Sequence, residues 1–362
     1  MNKLNTLHGQ IILPSFFPDG TKGIVKGVDS LDLERAKVEG LVINTYHLLV
    51  SGLEEKIENI GGIHRLMSWQ KPVIIDSGGF QVMSLIHEQA LSCGNKDKSM
   101  GKMTDEGVTF KLPGTPRIKL TPEKSIQMQI KLDSDILICF DDCTKPDQKL
   151  SEQKKSVERT IAWAKRCKLE FDKLTKLSKK RPLLFAVIQG GNNRKLRKYC
   201  ATELIKIGFD GYCFGGFPVD NKGKFLKSII KYTASLLPDD KVKYAMGIGN
   251  PQNIIDCVRM GYNLFDCVIP TREARHQKLY VFDKKITKKN VFEHNLYSTI
   301  NIGAGKYNQS LEPISKFCDC HACMNFSRAY LHHLFKIKDT SAFRLATIHN
   351  LRFYSMLMEA LK

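Results

Sequence analysis

The sequence predicts an α/β protein built as a closed (β/α)8 barrel, the TIM-barrel architecture, with a smaller subdomain inserted near its C-terminus. Three observations predict it. Short apolar runs of strand length recur along the chain, amphipathic stretches of helical spacing separate most of them, and seven of the runs end in polar or reactive residues. Strands alternating with helices imply parallel βαβ units, and about eight such units close into a barrel rather than an open sheet. The carboxyl ends of barrel strands converge at one mouth, where ligands bind. Polar strand ends are therefore a site signal in their own right.

Taken in order, residues 5–16 alternate enough to form a short strand pair covering one end of the barrel. Strands are then expected at 40–44, 73–76, 135–141, 183–189, 211–215, 243–247, 264–268 and 278–282, with helices at 122–132, 151–174, 194–207, 221–237 and 251–260. The polar strand ends are Asn44, Asp76, Asp141, Gln189, Gly215-Gly216, Met246-Gly247 and Asp266. Asp76-Ser-Gly-Gly-Phe-Gln81 closes the run Pro72-Val-Ile-Ile75. Its glycines let the backbone approach a ligand, although Ser-Gly-Gly is also ordinary turn chemistry. Residues 86–108 make a Ser/Gly/Lys/Met-rich connection too long for a routine loop, either a lid or a disordered segment. No G-x-G-x-x-G or Walker loop follows any strand, which weighs against a nucleotide cofactor. The barrel is assigned to 1–282, a zinc-binding subdomain to 283–349, and a C-terminal helix packing back on the barrel to 350–362.

Over 362 residues, 42% apolar and 26% charged content describe a globular chain with a large core. No apolar run reaches the length of a membrane span and the N-terminus does not read as a signal peptide, so a cytoplasmic location is expected. The formal net charge of +19 exceeds what solubility needs and points to a polyanionic partner. Eleven cysteines in such a chain argue against a disulfide framework. Most read as small buried residues. Cys318, Cys320 and Cys323 do not, because they crowd within six residues and are followed, after 25 intervening residues, by His349. Three thiolates and one imidazole fill a tetrahedron and leave no open position, the pattern of one structural Zn²⁺ per subunit. His321 is the competing fourth ligand; His332 and His333 read as packing or helix surface.

Asp76, Asp141 and Asp266 are three carboxylates at strand ends. Paired carboxylates across a sugar ring are the apparatus of retaining glycosyl transfer, one as nucleophile and one handling the proton. A flat heterocycle fits between Phe80 and Met246, with Asp141, Gln189 and the Gly216 amide supplying donors and acceptors along its edge, as for a guanine-like face. Arg272 and Arg275 follow Asp266 closely enough to grip phosphates or base edges.

These residues carry a resemblance. Asn44-Thr-Tyr-His-Leu48, Asp76-Ser-Gly-Gly-Phe-Gln-Val-Met83, Phe140-Asp-Asp-Cys-Thr144, Gln189-Gly-Gly191, Gly208-Phe-Asp-Gly-Tyr212, Gly215-Gly216, Met246-Gly247, Phe265-Asp-Cys-Val268, Pro270-Thr-Arg272 and the C-x-C-x2-C-x25-H pattern resemble, in order, the tRNA-guanine transglycosylases (queuine tRNA-ribosyltransferases) of bacterial type. The resemblance implies a cytoplasmic, homodimeric pentosyltransferase of queuosine biosynthesis. Such an enzyme replaces guanine at the first anticodon position of tRNA by a 7-deazaguanine, either 7-aminomethyl-7-deazaguanine or queuine. It implies Asp266 as the nucleophile that forms a ribosyl-aspartyl ester, and Asp76 as the general base. Phe80, Asp141, Gln189, Gly216 and Met246 correspond to base binding, and Arg272 and Arg275 to reading the U-G-U core of the anticodon loop. The zinc ligands correspond to Cys318, Cys320, Cys323 and His349. Two alternatives compete: a non-catalytic tRNA-binding subunit, against which both aspartates speak, and a metal-dependent barrel hydrolase, whose His and carboxylate ligands the strand ends lack. The chain departs from bacterial relatives in Gly216-Phe-Pro-Val-Asp-Asn221, which keeps a bacterial-type Val219 but lacks the glutamate that usually follows, and in the longer 86–108 segment.

Overall fold

Apolar side chains on both faces are what a strand needs when helices cover one side of a sheet and a filled barrel lies on the other. The computed structural model, which describes residues 2–81, 101–111, 117–145, 148–178 and 180–362, has eight such strands. They are β1 (Ser15–Pro18), β2 (Leu41–Asn44), β3 (Val73–Asp76), β4 (Ile136–Ile138), β5 (Leu183–Ile188), β6 (Gly211–Phe214), β7 (Val242–Ala245) and β8 (Leu264–Cys267). Their order is β1-β8-β7-β6-β5-β4-β3-β2, with every neighbouring pair parallel. A parallel bridge between Asp19 and Val42, with the Gly20 N–H donating to the Val42 carbonyl at 2.7 Å, brings β1 against β2 and nearly closes the ring. Phe17, Val42, Ile74, Ile138, Phe185, Val187 and Tyr244 pack the interior, so the barrel is a core and not a pore.

The helices begin where their sequences stop them unravelling. Thr121, Asn193 and Asn250 accept hydrogen bonds from the first free amides of helices Pro122–Lys131, Arg194–Ile207 and Pro251–Arg259. The helix expected from 221 starts at Lys227, because the preceding residues are drawn into a bridge between Val219 and Phe225. Among the described residues no helix is long and apolar enough to cross a membrane.

One barrel strand differs from expectation. Residues 278–282 are a strand, but Lys278–Phe282 pairs antiparallel with Tyr297–Asn301 outside the barrel. Only ten residues separate it from β8, too few for an ordinary crossover back to a parallel neighbour. Its place is taken by β1, whose first two residues fall inside the stretch 5–16 expected as a hairpin. That hairpin, Lys3–Thr6 with Gly9–Ile12, does cover the opposite end. There Asp135 accepts from the amides of His8 and Val73 at 2.7 and 2.8 Å.

Two additions flank the mouth. Between β3 and helix Pro122–Lys131, strands Gly101–Thr104, Gly107–Lys111 and Arg117–Leu120 form an antiparallel sheet, so residues 101–108 of the expected loop are ordered structure. The rest of that expectation, up to residue 100, lies outside the described residues. After β8, the Lys278–Phe282 pair, helices His321–Asn325 and Arg328–Lys336, and helix Thr340–Leu361 form the C-terminal module. The last helix also packs on β1, where the rings of Phe16 and Tyr354 lie 4.6 Å apart.

Candidate active site

Parallel register sets the strand ends level: Asn44 lies opposite Asp76, and Asp266 opposite Phe17. A cavity of about 380 Å³ opens above them. Asp76, Phe80, Asp141, Gln189, Gly216, Met246 and Asp266 all line it, so seven residues singled out from sequence meet at one place.

Asp266 ends β8. Its Oδ1 accepts from the Tyr244 hydroxyl at 2.7 Å and from the Gly247 amide at 2.8 Å. Among the described residues nothing donates to Oδ2, which stays available for bond formation. Burial raises the carboxyl to about 6 against the pull of those two donors. Asp76 ends β3, and its Oδ2 accepts from Asn44 Nδ2 at 2.5 Å. Burial, then the charge of Asp266, raises it to about 6, while the amides of Gly78 and Ser77 and the Asn44 side chain lower it. Gly78 is at φ +81°, and a Cβ there would stand 2.7 Å from the Thr45 hydroxyl, so this turn requires glycine. Two buried carboxylates raised toward neutrality, with the Asp266 charge acting on Asp76, suit one nucleophilic and one proton-transfer role.

Beside this pair, Gln189 Nε2 donates to Asp141 Oδ2 at 2.6 Å. Burial raises Asp141 to about 7, with the charges of Asp76 and Asp142 adding and the Gln189 bond subtracting. Gln189 Oε1 is buried without a partner, an acceptor that a ligand N–H would satisfy. Gly216 is at φ +95°, and a Cβ on it would lie 3.5 Å from that oxygen. Phe80 remains 39% exposed, its ring 5.4 Å from Phe217, which leaves an aromatic face open at the entrance.

The chain has relatives. The family model for queuine tRNA-ribosyltransferase matches residues 1–362. The chain belongs to the queuine tRNA-ribosyltransferase family. It is 40% identical over 356 residues to the queuine tRNA-ribosyltransferase of Psychrobacter sp. (strain PRwf-1), covering 98% of this chain and 86% of that one. It is 40% identical to the Blochmanniella floridana protein of the same name, covering 100% and 88%. With that of Halothermothrix orenii it shares 37% identity, over 100% and 89%.

Within this family member, several cavity residues escaped the sequence reading. Tyr244 lies two positions before Met246, and a period of two puts both on the same strand face, a signal that was available. Asp19 was hidden because β1 was not recognised as a barrel strand. Phe217 and Pro218 line the wall, whereas Val219 is held in its bridge to Phe225. The Asp220 carboxylate accepts from the amides of Lys222 and Lys224, which ties it into its own turn. Arg272 and Arg275 stand on helix Ile269–Arg275, directly after β8 and outside the cavity wall. Arg272 is exposed, and Arg275 Nη1 donates to the Thr271 carbonyl at 2.8 Å.

Cys318, Cys320, Cys323 and His349 are buried, and their ligand atoms all lie within 4.8 Å of one another. His349 Nδ1 is 3.6 and 3.2 Å from the sulfurs of Cys320 and Cys323, and its Nε2 is 2.7 Å from the Tyr280 carbonyl. A carbonyl only accepts, so Nε2 carries the proton and Nδ1 offers its lone pair toward the thiols, the tautomer a metal ligand needs. The four residues could hold a metal ion. His321 is not among them; it is exposed and bonded to Asn325. A second cluster, His8, His64 and Asp133, lies near the hairpin. Its imidazoles stack face to face at 3.6 Å, and both His64 nitrogens already face acceptors, Trp69 O and Asp135. In-plane lone pairs of parallel rings do not converge, so this group is a hydrogen-bonded network.

Proposed function

We propose that this protein is a tRNA-guanine transglycosylase that exchanges the guanine at the first anticodon position for 7-aminomethyl-7-deazaguanine, in queuosine biosynthesis. The observation that carries the reading is the pair Asp266 and Asp76 in one cavity with a base-shaped recess made by Asp141, Gln189, Gly216, Phe80 and Met246.

In this reading Asp266 Oδ2 attacks the ribose anomeric carbon of the bound guanosine. The glycosidic bond breaks, guanine leaves with a proton from Asp76 on its ring nitrogen, and the ribose is held as an aspartyl ester. Tyr244 and Gly247 fix the other oxygen, so the attacking one is oriented. The incoming base gives its ring proton to Asp76, its nitrogen attacks the same carbon, and the ester breaks with net retention. Asp141 accepts from the base edge while the orphan Gln189 oxygen takes a further N–H. Arg272 and Arg275, at the rim, grip the U-G-U core. No ATP or redox group takes part.

Support for the aminomethyl base comes from the wall beside Gly216. Pro218 has no N–H, so the Phe217–Pro218 peptide offers a 7-substituent only an acceptor. An ammonium suits that wall better than a nitrile. Queuine, with its bulkier substituent, is the other candidate. The metal is zinc in a structural role: three thiolates and one imidazole would close its coordination and tie helix Thr340–Leu361 to the knuckle. The active species is a homodimer, which light scattering at assay concentration tests.

The deciding assay loads tRNA with labelled guanine and chases it with 7-aminomethyl-7-deazaguanine, its 7-cyano analogue or queuine. Release is expected with the aminomethyl base, together with a denaturation-resistant protein–tRNA adduct that Asp266→Ala abolishes. No release with any base would leave only a tRNA-binding subunit.

A further inference from the structure

The three-stranded sheet beside the mouth carries a feature that the proposed chemistry does not use. Its inner face is apolar, with Val108, Phe110 and Leu120 buried against Tyr46, Phe140 and Trp163. Alternation then turns Lys102, Lys111, Arg117 and Lys119 to the other face, and all four are exposed. The register sets Lys111 directly opposite Arg117, and aligns Lys102 and Lys119 on either side of Thr109. Among the described residues none of the four has a carboxylate within 4.0 Å. The acids of the module, Asp105 and Glu106, occupy the turn at its far end, where Arg159 takes the Asp105 carboxylate at 3.1 Å.

Like charges directly opposite one another destabilise a sheet. Lysines that merely guard sheet edges against aggregation do not explain Lys111, because it lies on the central strand. A face of this kind reaches its lowest energy with anions between its cations. Alongside it, Arg117 and Lys119 are joined by the exposed Lys124 around a groove of about 310 Å³. The sheet is also fixed relative to the active site. Arg159, which holds its turn, also pairs with Asp142 at 2.5 Å, next to Asp141.

We propose that this face is a second docking surface for the substrate tRNA, gripping phosphodiester backbone outside the anticodon nucleotides that enter the cavity. The inference rests on the tRNA reading above and adds a place and a set of residues to it. Because backbone contacts carry no sequence information, this face contributes affinity and salt sensitivity, while the cavity and rim contribute specificity.

The test compares the full-length wild type with a Lys111→Ala/Arg117→Ala/Lys119→Ala variant. Fluorescence anisotropy measures binding of labelled tRNA between roughly 50 and 300 mM KCl, and guanine exchange is measured in parallel. Each lost phosphate contact removes about 0.7 to 0.9 from the slope of log Kd against log salt. The triple variant should therefore lose about two to three units of slope and bind tRNA at least roughly ten-fold more weakly near 100 mM salt. Its Km for tRNA should rise in step while kcat moves less than about two-fold. Lys111→Arg/Lys119→Arg should bind as wild type. Lys102→Ala/Lys124→Ala, which removes only exposed side chains, should lose about one to two units of slope. Slopes and Kd values equal to wild type in both alanine variants overturn the proposal. Absence of guanine exchange in the wild type would instead strike the transglycosylase reading, and the binding slopes would still decide this one.

Discussion

Replacing Asp266 by Asn should make the protein more stable and inactive together. The Asn side chain keeps an acceptor for Tyr244 and Gly247 but removes the charge. Folding raises the Asp266 carboxyl from 3.8 to about 6, a shift of roughly two units, and at 1.36 kcal/mol per unit its ionisation costs the fold about 3 kcal/mol. The sign follows from proton counting. Between those two values the folded state binds more protons than the unfolded state, so stability falls as pH rises from about 4 through about 6 and the loss is complete above that. Asn does not titrate. The variant should thus gain about 3 kcal/mol over wild type at pH 8 and only about 0.5 kcal/mol at pH 4. With an unfolding entropy of about 2.1 cal/mol/K per residue, that is a melting temperature about 4 °C higher at pH 8. Differential scanning calorimetry at the two pH values measures it, alongside gel detection of the tRNA adduct. A variant no more stable at pH 8 than at pH 4, relative to wild type, would refute the account of a desolvated carboxylate. Robust exchange by the Asn protein would refute the nucleophile.

Three further outcomes follow from the same geometry. Tyr244→Phe removes a hydrogen bond that lowers the Asp266 carboxyl, so the acidic limb of kcat/Km against pH should move upward by about half to one unit, with little change on the alkaline side. Asp141→Ala leaves Gln189 Nε2 without its acceptor and removes an anionic partner for the base. The Km for the incoming base should rise by roughly 30-fold or more while tRNA binding holds, and a variant with unchanged base Km would contradict the recess described for Asp141 and Gln189. Cys320→Ala should abolish stoichiometric zinc, read by metal analysis of the purified protein, and should loosen helix Thr340–Leu361, seen as faster amide exchange around His349.

Alternating apolar runs and helical stretches contain the barrel almost completely, because burial on two faces forces β2 to β8 to be apolar and short. The polar residues that interrupt this rule at the carboxyl ends are costly to place there unless they meet a ligand. For that reason Asp76, Asp141, Gln189 and Asp266 stand out in the sequence alone, as do the three cysteines and His349 of the knuckle. Other features depend on partners far away along the chain. The eighth place in the ring belongs to Ser15–Pro18 and not to 278–282, a choice made by crossover length and by helix Thr340–Leu361, whose Asn350 bonds the backbone of Tyr280 and Lys278. The support of Asp266 by Tyr244, and of Asp76 by Asn44, exists only because neighbouring strands bring them into register. The proton affinities of the three aspartates are likewise a tertiary property. The residue types determine which charges are present; burial at a shared mouth strips each carboxyl of water, and that loss, more than any neighbouring charge, raises all three toward neutrality.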